Sequence, residues 1–446
     1  MTKIGFVCLG CPKNQVNAER MMADLLAAGM KLEENVYCGA DAVIVNTCGF
    51  IDDAKKEAID SILDMVQLKS EGLVGKVIVT GCLAQRYRDE IVTEIPEVDA
   101  VLGLGANDDI VRHVRAILGD QRVAAYPALD CLSLGGPRQL TSPGHWAYLL
   151  VADGCSNRCT YCEIPDIRGS FRSRTIEDIL SEAETLAAQG VRELVLIAQD
   201  VTCYGLDLYS QRRLPDLLRA LCRVEGIRWI RLLYCYPDEI SDELIDVIAA
   251  EKKVVKYLDL PLQHADDRVL KAMGRRGTQA EIRNVLTKLR EKIQGIAIRT
   301  TFITGFPGED EQAFEALSKF VDEQRFERMG VFAFSPQEGT PAYGMPGQVD
   351  PETAQRRAEI LTQQQADIAE QQQREAVGRV LAVMVEAYDP YTDSYLGRGA
   401  ADAPEIDGFV TFTGALTLQA GDIAMVEIVG LREDSLLGRL TYEEVE

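Results

Sequence analysis

The chain has 446 residues, enough for about three domains. Hydrophobic residues make up 47% and charged residues 26%, near globular averages, which excludes disordered and fibrous architectures. With 47 Lys+Arg against 70 Asp+Glu the net charge is −23, so the chain as a whole gains no attraction to nucleic acid or anionic membrane, and a basic partner or a small substrate is expected.

The apolar opening over 4–10 is too short for a signal-peptide core, and no stretch approaches the roughly 18 apolar residues of a membrane span. The expected location is the cytoplasm, where the 12 cysteines face a reducing compartment and serve as buried thiols, metal ligands or catalysts rather than disulfides. Only His113, His145 and His264 are present, which argues against a zinc or copper centre built on several imidazoles.

Short apolar runs over 4–8, 42–45, 76–80 and 101–104 alternate with helical periods over 17–28, 54–68 and 109–118. That alternation predicts an open parallel sheet with covering helices in residues 1–125. A Pro/Gly-rich stretch over 126–144 reads as a linker. Six further strand candidates follow, over 147–151, 193–198, 229–233, 257–260, 297–303 and 330–334, with helices between them. Six β/α units are too few for a full eight-unit barrel and suit a partial (β/α)6 barrel over 145–338. Residues 339–376 form a second linker, in which Asp350-Pro351 signals a helix start and the Gln-rich continuation reads as a solvent-facing connecting helix. Strand patterns over 380–385, 409–412, 423–429 and 437–440 predict a small antiparallel β-barrel over 377–446, suited to binding. The fold class is α/β with this barrel appended.

Cys155, Cys159 and Cys162 stand at C-x3-C-x2-C spacing just past a predicted strand. Thiolates suit iron–sulfur centres, and three of them on a four-iron cubane leave one iron open to chelate a substrate. Zinc would need a fourth Cys or His, and none follows within forty residues. Cys11, Cys48 and Cys82 each fall just past the carboxyl end of a predicted parallel strand. Loops at that end of an open α/β sheet converge on one crevice, and the adjacent Gly10, Gly49 and Gly81 permit close backbone approach. The alternative is three unrelated buried thiols. Cys8 forms a C-x-x-C pair with Cys11 but is expected to be a small buried strand-end residue. Cys38, Cys131, Cys203, Cys222 and Cys235 lack paired spacing.

The spacing at Cys155, with the aromatic Tyr161 before the third cysteine, resembles the radical S-adenosylmethionine (SAM) superfamily. The two triads together resemble the methylthiotransferases. The resemblance covers nearly the whole chain and implies two [4Fe-4S] clusters and SAM: one cluster on Cys11, Cys48 and Cys82, and a SAM-binding one on Cys155, Cys159 and Cys162. It also implies a C-terminal substrate-binding barrel known as TRAM. Four stretches look like the branch that modifies a ribosomal protein: Leu9–Asn14, Pro261–His264, Phe334–Thr340 and Gly397–Gly408. That branch converts an aspartate of the twelfth small-subunit ribosomal protein to β-methylthioaspartate, with an external electron donor and sulfur source. Cys8 departs from it, since the branch often has a small hydroxyl residue there.

Charge supports the same branch. Residues 377–446 hold 4 basic and 13 acidic residues, 4 − 13 = −9, which would repel RNA phosphates and attract a basic protein. No direct nucleic-acid recognition and no membrane contact are therefore expected. Asp402, Glu405 and Asp407 are the expected substrate contacts. Tyr161 and the strand-to-helix turn Gly305, Pro307 and Gly308 are expected near SAM, the alternative for the turn being an ordinary loop. Gln199–Gly205 is expected to touch substrate or SAM, and Arg168, Arg172 and Arg174 to face carboxylates. His264 either contacts substrate or caps a strand. No residue is singled out as a general acid or base. The competing readings are a tRNA adenosine methylthiotransferase and a non-catalytic iron–sulfur carrier or scaffold.

Overall fold

A computed structural model describes residues 1–432 and 435–441. The N-terminal domain is a six-stranded parallel sheet. Its strands are β1 (Lys3–Cys8), β2 (Lys31–Glu33), β3 (Ala42–Thr47), β4 (Val77–Gly81), β5 (Ala100–Leu102) and β6 (Val123–Ala125), in the order β2-β1-β3-β4-β5-β6. Every residue of β3 and β4 is buried, as expected of parallel strands covered by helices on both faces. β2 and β6 lack a sequence signal because they are three residues long and sit at the sheet edges, where short strands are favoured. Helices α1 (Pro12–Ala27), α2 (Asp52–Ser70), α3 (Cys82–Arg86) and α4 (Ile110–Leu118) follow β1, β3, β4 and β5.

The central domain is a six-stranded parallel sheet curled into a partial barrel. Its strands, in sequence order β7 (Trp146–Leu150), β8 (Glu193–Ile197), β9 (Trp229–Leu232), β10 (Val254–Asp259), β11 (Ala297–Thr304) and β12 (Arg328–Ala333), are also neighbours in that order. Alternation splits the strand residues between two cores. Ala147, Leu149, Leu194, Leu196, Ile230 and Leu232 pack under the helices. Trp146, Tyr148, Leu150, Val195, Tyr257 and Ala297 face inward, where they meet Val16 of α1 and Met384 and Ala403 of the C-terminal module.

The C-terminal module is a closed five-stranded barrel, order β13-β14-β15-β17-β16, made of β13 (Val380–Asp389), β14 (Ser394–Gly399), β15 (Val410–Thr413), β16 (Ile423–Arg432) and β17 (Ser435–Leu440). One pairing, β15 with β17, is parallel, so the barrel is not wholly antiparallel as expected. β14 escapes the sequence pattern because Gly397 and Gly399 read as a turn. A Cβ on Gly397 would stand 2.5 Å from Val383 Cγ1, so packing against β13 requires glycine. Of the acidic residues counted above, Glu433, Asp434, Glu443, Glu444 and Glu446 lie outside the described residues, as does the Cys131 side chain. Among the described residues no helix is long and apolar enough to cross a membrane.

Helix α5 (Pro351–Ala376) corrects one expectation. It starts as predicted, with the Asp350 carboxylate accepting from Thr353 N at 2.9 Å, but it is not merely solvent-facing. Ala354, Ala358, Leu361, Gln365 and Ile368 form a buried stripe at helical spacing. The glutamines disguise it because they bond carbonyls of the neighbouring loop: Gln365 donates to Phe326 O and Gln372 to Arg325 O, both at 2.9 Å.

Candidate active site

The N-terminal cysteines sit on three loops at one end of the sheet. Cys11 caps α1, and its carbonyl accepts from Asn14 N at 2.9 Å. Cys48 follows β3, and Cys82 opens α3. Glycines bring these loops together. A Cβ on Gly10 (φ +90°) would lie 2.8 Å from Cys48 Cβ, and one on Gly49 would lie 2.8 Å from Leu83 Cα. The Asn14 side chain ties the loops by donating to Leu9 O at 3.0 Å and Thr47 O at 2.8 Å. Its Oδ1 faces Cys82 Sγ at 3.8 Å.

The second triad follows β7 on a loop locked at several points. Cys155 N donates to Gly169 O at 3.0 Å and Thr160 N to Met273 O at 2.9 Å. Asn157 donates to Asp200 at 2.9 Å, so Gln199–Gly205 includes a support for this loop. Cys159 Sγ lies 3.2 Å from the Tyr236 hydroxyl, over whose ring the Arg275 guanidinium stacks at 4.0 Å. Neither Tyr236 nor Arg275 has a sequence signal, because their roles appear only when the segment after β9 and the one after the Asp267–Ala272 helix meet beside the cysteine loop.

Arg168 joins the two triads. It is 1% exposed and reaches Asp153 at 3.1 and 3.3 Å, Asn17 at 3.2 Å and Asn14 at 2.9 Å. Asp153 precedes Cys155 by two residues, and Gln199 also donates to it at 2.7 Å. One buried guanidinium thus spans the N-terminal and central domains between the two cysteine loops. A cavity of about 830 Å³ opens nearby, lined by Phe50 and Ile51, just past Cys48, and by Tyr161, Gln263, Thr301 and Phe334 of the central domain.

The electrostatics separate the thiols. Burial pushes Cys82 and Cys155 up to about 11 and Cys162 to about 12. Cys11 goes the other way. Burial alone would raise it, but the charges of Lys13 and Arg168 and nearby backbone N–H groups bring it below the usual thiol value. Buried thiols resist ionisation in water-poor surroundings but lose their protons on binding a metal. All-sulfur donors, three to a site in a glycine-built cradle, fit iron–sulfur clusters. Among the described residues no three His, Cys, Asp or Glu side chains could together hold a single metal ion. A cubane places each thiolate on a different iron, so this does not bear on a cluster.

The remaining expected site residues have other partners. Arg174 pairs with Asp178 at 2.7 Å and Glu182 at 2.6 Å, while Arg172 donates to Leu132 O at 3.2 Å. Gly305 has φ +74°, and a Cβ there would meet Ala354 Cβ at 2.2 Å. Its N–H donates to Glu309 at 3.0 Å, and Gly308 N donates to Gly347 O at 2.9 Å. Pro307 is buried between them. This turn therefore seats α5, with Glu309 also pairing Arg357 at 2.9 Å and His264 at 3.1 Å. His264 is fully buried and accepts from Asp266 N at 2.9 Å, a strand-end role. Cys8 is exposed rather than buried.

The acidic loop is also engaged inward. Asp402 pairs with Arg328, Asp407 accepts from Tyr257 Oη at 2.7 Å, and exposed Glu405 accepts from Tyr148 Oη at 3.2 Å. Two of the three carboxylates are thus matched inside the chain rather than offered to solvent. Behind them Arg398, fully buried, pairs with Glu193 at 2.7 Å and Glu386 at 2.6 Å. The Gly397–Gly408 stretch docks the small barrel onto the central one.

Three family models match: Uncharacterized protein family UPF0004 over residues 3–103, the Radical SAM superfamily over 149–321 and the TRAM domain over 377–441. Ribosomal protein uS12 methylthiotransferase RimO of Acetivibrio thermocellus is 45% identical, covering 99% of each chain. The protein of the same name from Desulforamulus reducens is 46% identical, covering 99% of this chain and 100% of its own. Among solved structures, the radical SAM methyltransferase TsrM of Kitasatospora setae aligns with TM-score 0.56 at 16% identity, over 77% of each chain. The cobalamin-dependent radical SAM enzyme OxsB aligns with TM-score 0.53 at 12% identity, over 83% of this chain and 56% of its own. These two likenesses concern the fold. Identity near 45% over essentially full length decides the family: the chain belongs to the RimO methylthiotransferases, radical SAM enzymes.

Proposed function

We propose that the chain methylthiolates the β-carbon of an aspartate in ribosomal protein uS12. The observation that carries this reading is the junction of the two cysteine triads through Arg168, Asp153 and Asn14, beside a cavity bordered by both domains. An aspartate β-C–H is too weakly acidic for proton abstraction at neutral pH, so the reaction needs a radical. When bound, a cluster on Cys155, Cys159 and Cys162 with SAM would supply that radical, and one on Cys11, Cys48 and Cys82 would hold the sulfur to be transferred.

The protein's own contribution is alignment. The Arg168 bridge fixes the distance between the two loops, and placing reacting groups accounts for much of the rate in such reactions. Phe50, Ile51 and Phe334 give this cavity apolar walls beside both domains. The net −9 charge of residues 377–446 favours a basic ribosomal protein over tRNA, whose phosphates it would repel.

The test is anaerobic reaction of the reconstituted protein with SAM, reductant and a sulfur source, offered isolated uS12 and bulk tRNA in parallel. Mass spectrometry should find one methylthio group on a uS12 aspartate and none on tRNA. Modification of tRNA alone would overturn the substrate assignment.

A further inference from the structure

Lys13 is 6% exposed, yet among the described residues it has no ion pair and no side-chain hydrogen bond. Its Nζ rests 3.1 Å from the centre of the Tyr234 ring. A buried ammonium is costly unless paired, and a ring face only partly offsets that cost. The two carboxylates whose fields reach it, Asp153 and Asp259, are already committed. Asp153 binds Arg168 and Gln199. Asp259 binds Arg299 at 3.0 Å and accepts from Tyr234 N at 2.9 Å. Its remaining near charges are the Cys11 thiol, whose thiolate would be shared with Arg168, and Arg168 itself, which repels it.

The position is specific. Lys13 lies two residues past Cys11. Tyr234, which holds it, is a bulky residue at φ +61°, a conformation that persists only where the surroundings enforce it. Two residues on, Tyr236 touches Cys159. An ammonium in need of an anion therefore sits beside the Cys11 loop, on a ring two residues before the one that reaches Cys159.

We propose that Lys13 binds the side-chain carboxylate of the substrate aspartate and so presents its β-carbon, one bond away, to the centre between the triads. This rests on the functional reading above. A site built to pair a buried charge rejects the neutral isostere strongly, so the lysine would also explain selection of aspartate over asparagine.

The experiment is a double-mutant cycle by calorimetry. Reconstituted wild type and Lys13→Met are each titrated with uS12 and with uS12 carrying asparagine at the target position. Loss of a charge-assisted hydrogen bond corresponds to about ten- to hundredfold in affinity. Wild type should bind the aspartate form more tightly by that factor, Lys13→Met should bind both forms alike, and Lys13→Arg should keep most of the preference. If Lys13 serves only to offset thiolate charge, Lys13→Met loses iron or shifts the cluster spectrum while the aspartate preference persists, and the proposal fails. Equal affinity of wild type for both forms overturns it without any variant. Failure of wild type to bind either form would instead overturn the uS12 reading.

Discussion

Replacing Arg398 with methionine should release the C-terminal barrel from the central domain. Arg398 is fully buried between Glu193, at 2.7 Å, and Glu386, at 2.6 Å, and also donates to Asp402 O at 3.0 Å. Removing one member of a buried charge network costs about 3–5 kcal/mol, because the partners stay charged and unpaired. Both partners retain something here: Glu193 keeps Arg231 at 2.7 Å and Glu386 keeps His145 at 2.9 Å. The lower end applies, about 3 kcal/mol, or on the order of a hundredfold in the docking equilibrium. A three-domain chain does not unfold in one step, so the assay is hydrogen exchange resolved to β13, β14 and the 400–408 loop. Protection there should fall by about that factor while the N-terminal sheet is unchanged. A cycle with Glu193→Gln should show coupling above about 0.5 kcal/mol, the limit of simple additivity. Unchanged protection in Arg398→Met, or strict additivity with Glu193→Gln, would refute the reasoning.

Acid should loosen the same junction. Burial would raise Glu193, but Arg231 and Arg398 hold it below 4.5; burial would likewise raise Glu386, but His145 and Arg398 hold it below 4.5. A depressed folded value means the contribution is complete above about 4.5 and lost as pH falls through the folded values, so protection at β14, taken relative to the intrinsic exchange rate at each pH, should fall below pH 4.5 in wild type and less so in Arg398→Met. Gly10→Ala should lose the N-terminal iron selectively, since the new Cβ would lie 2.8 Å from Cys48 Cβ at φ +90°; iron analysis should drop from about eight to about four per chain. Asp402→Asn should increase exchange around Arg328 by weakening an internal pair, with little change in uS12 affinity measured by titration; a large affinity loss with unchanged exchange would return this residue to the substrate surface.

The strand and helix order was legible because parallel β/α units write long apolar periods, as β3 and β4 show. The six cysteines of the two triads were legible because thiols recurring past strand ends are chemically conspicuous. What escaped depends on distant partners. Arg168 reads as one arginine among several until α1 and the 155–168 loop meet around it. The acidic stretch 402–407 reads as a solvent-facing charge cluster, because Tyr148, Tyr257 and Arg328, more than 70 positions away in sequence, are what it faces. The α5 stripe was hidden by glutamines whose partners, Phe326 O and Arg325 O, belong to another loop.

The most direct test of the central claim uses two triple variants, Cys11/Cys48/Cys82→Ala and Cys155/Cys159/Cys162→Ala, each reconstituted anaerobically and assayed for iron, SAM cleavage and uS12 mass. Each should hold about half the wild-type iron of about eight per chain. The central-triad variant should lose SAM cleavage, the N-terminal-triad variant should keep it, and neither should add a methylthio group to uS12. An N-terminal-triad variant that retains full iron, or still methylthiolates uS12, would contradict the two-centre account.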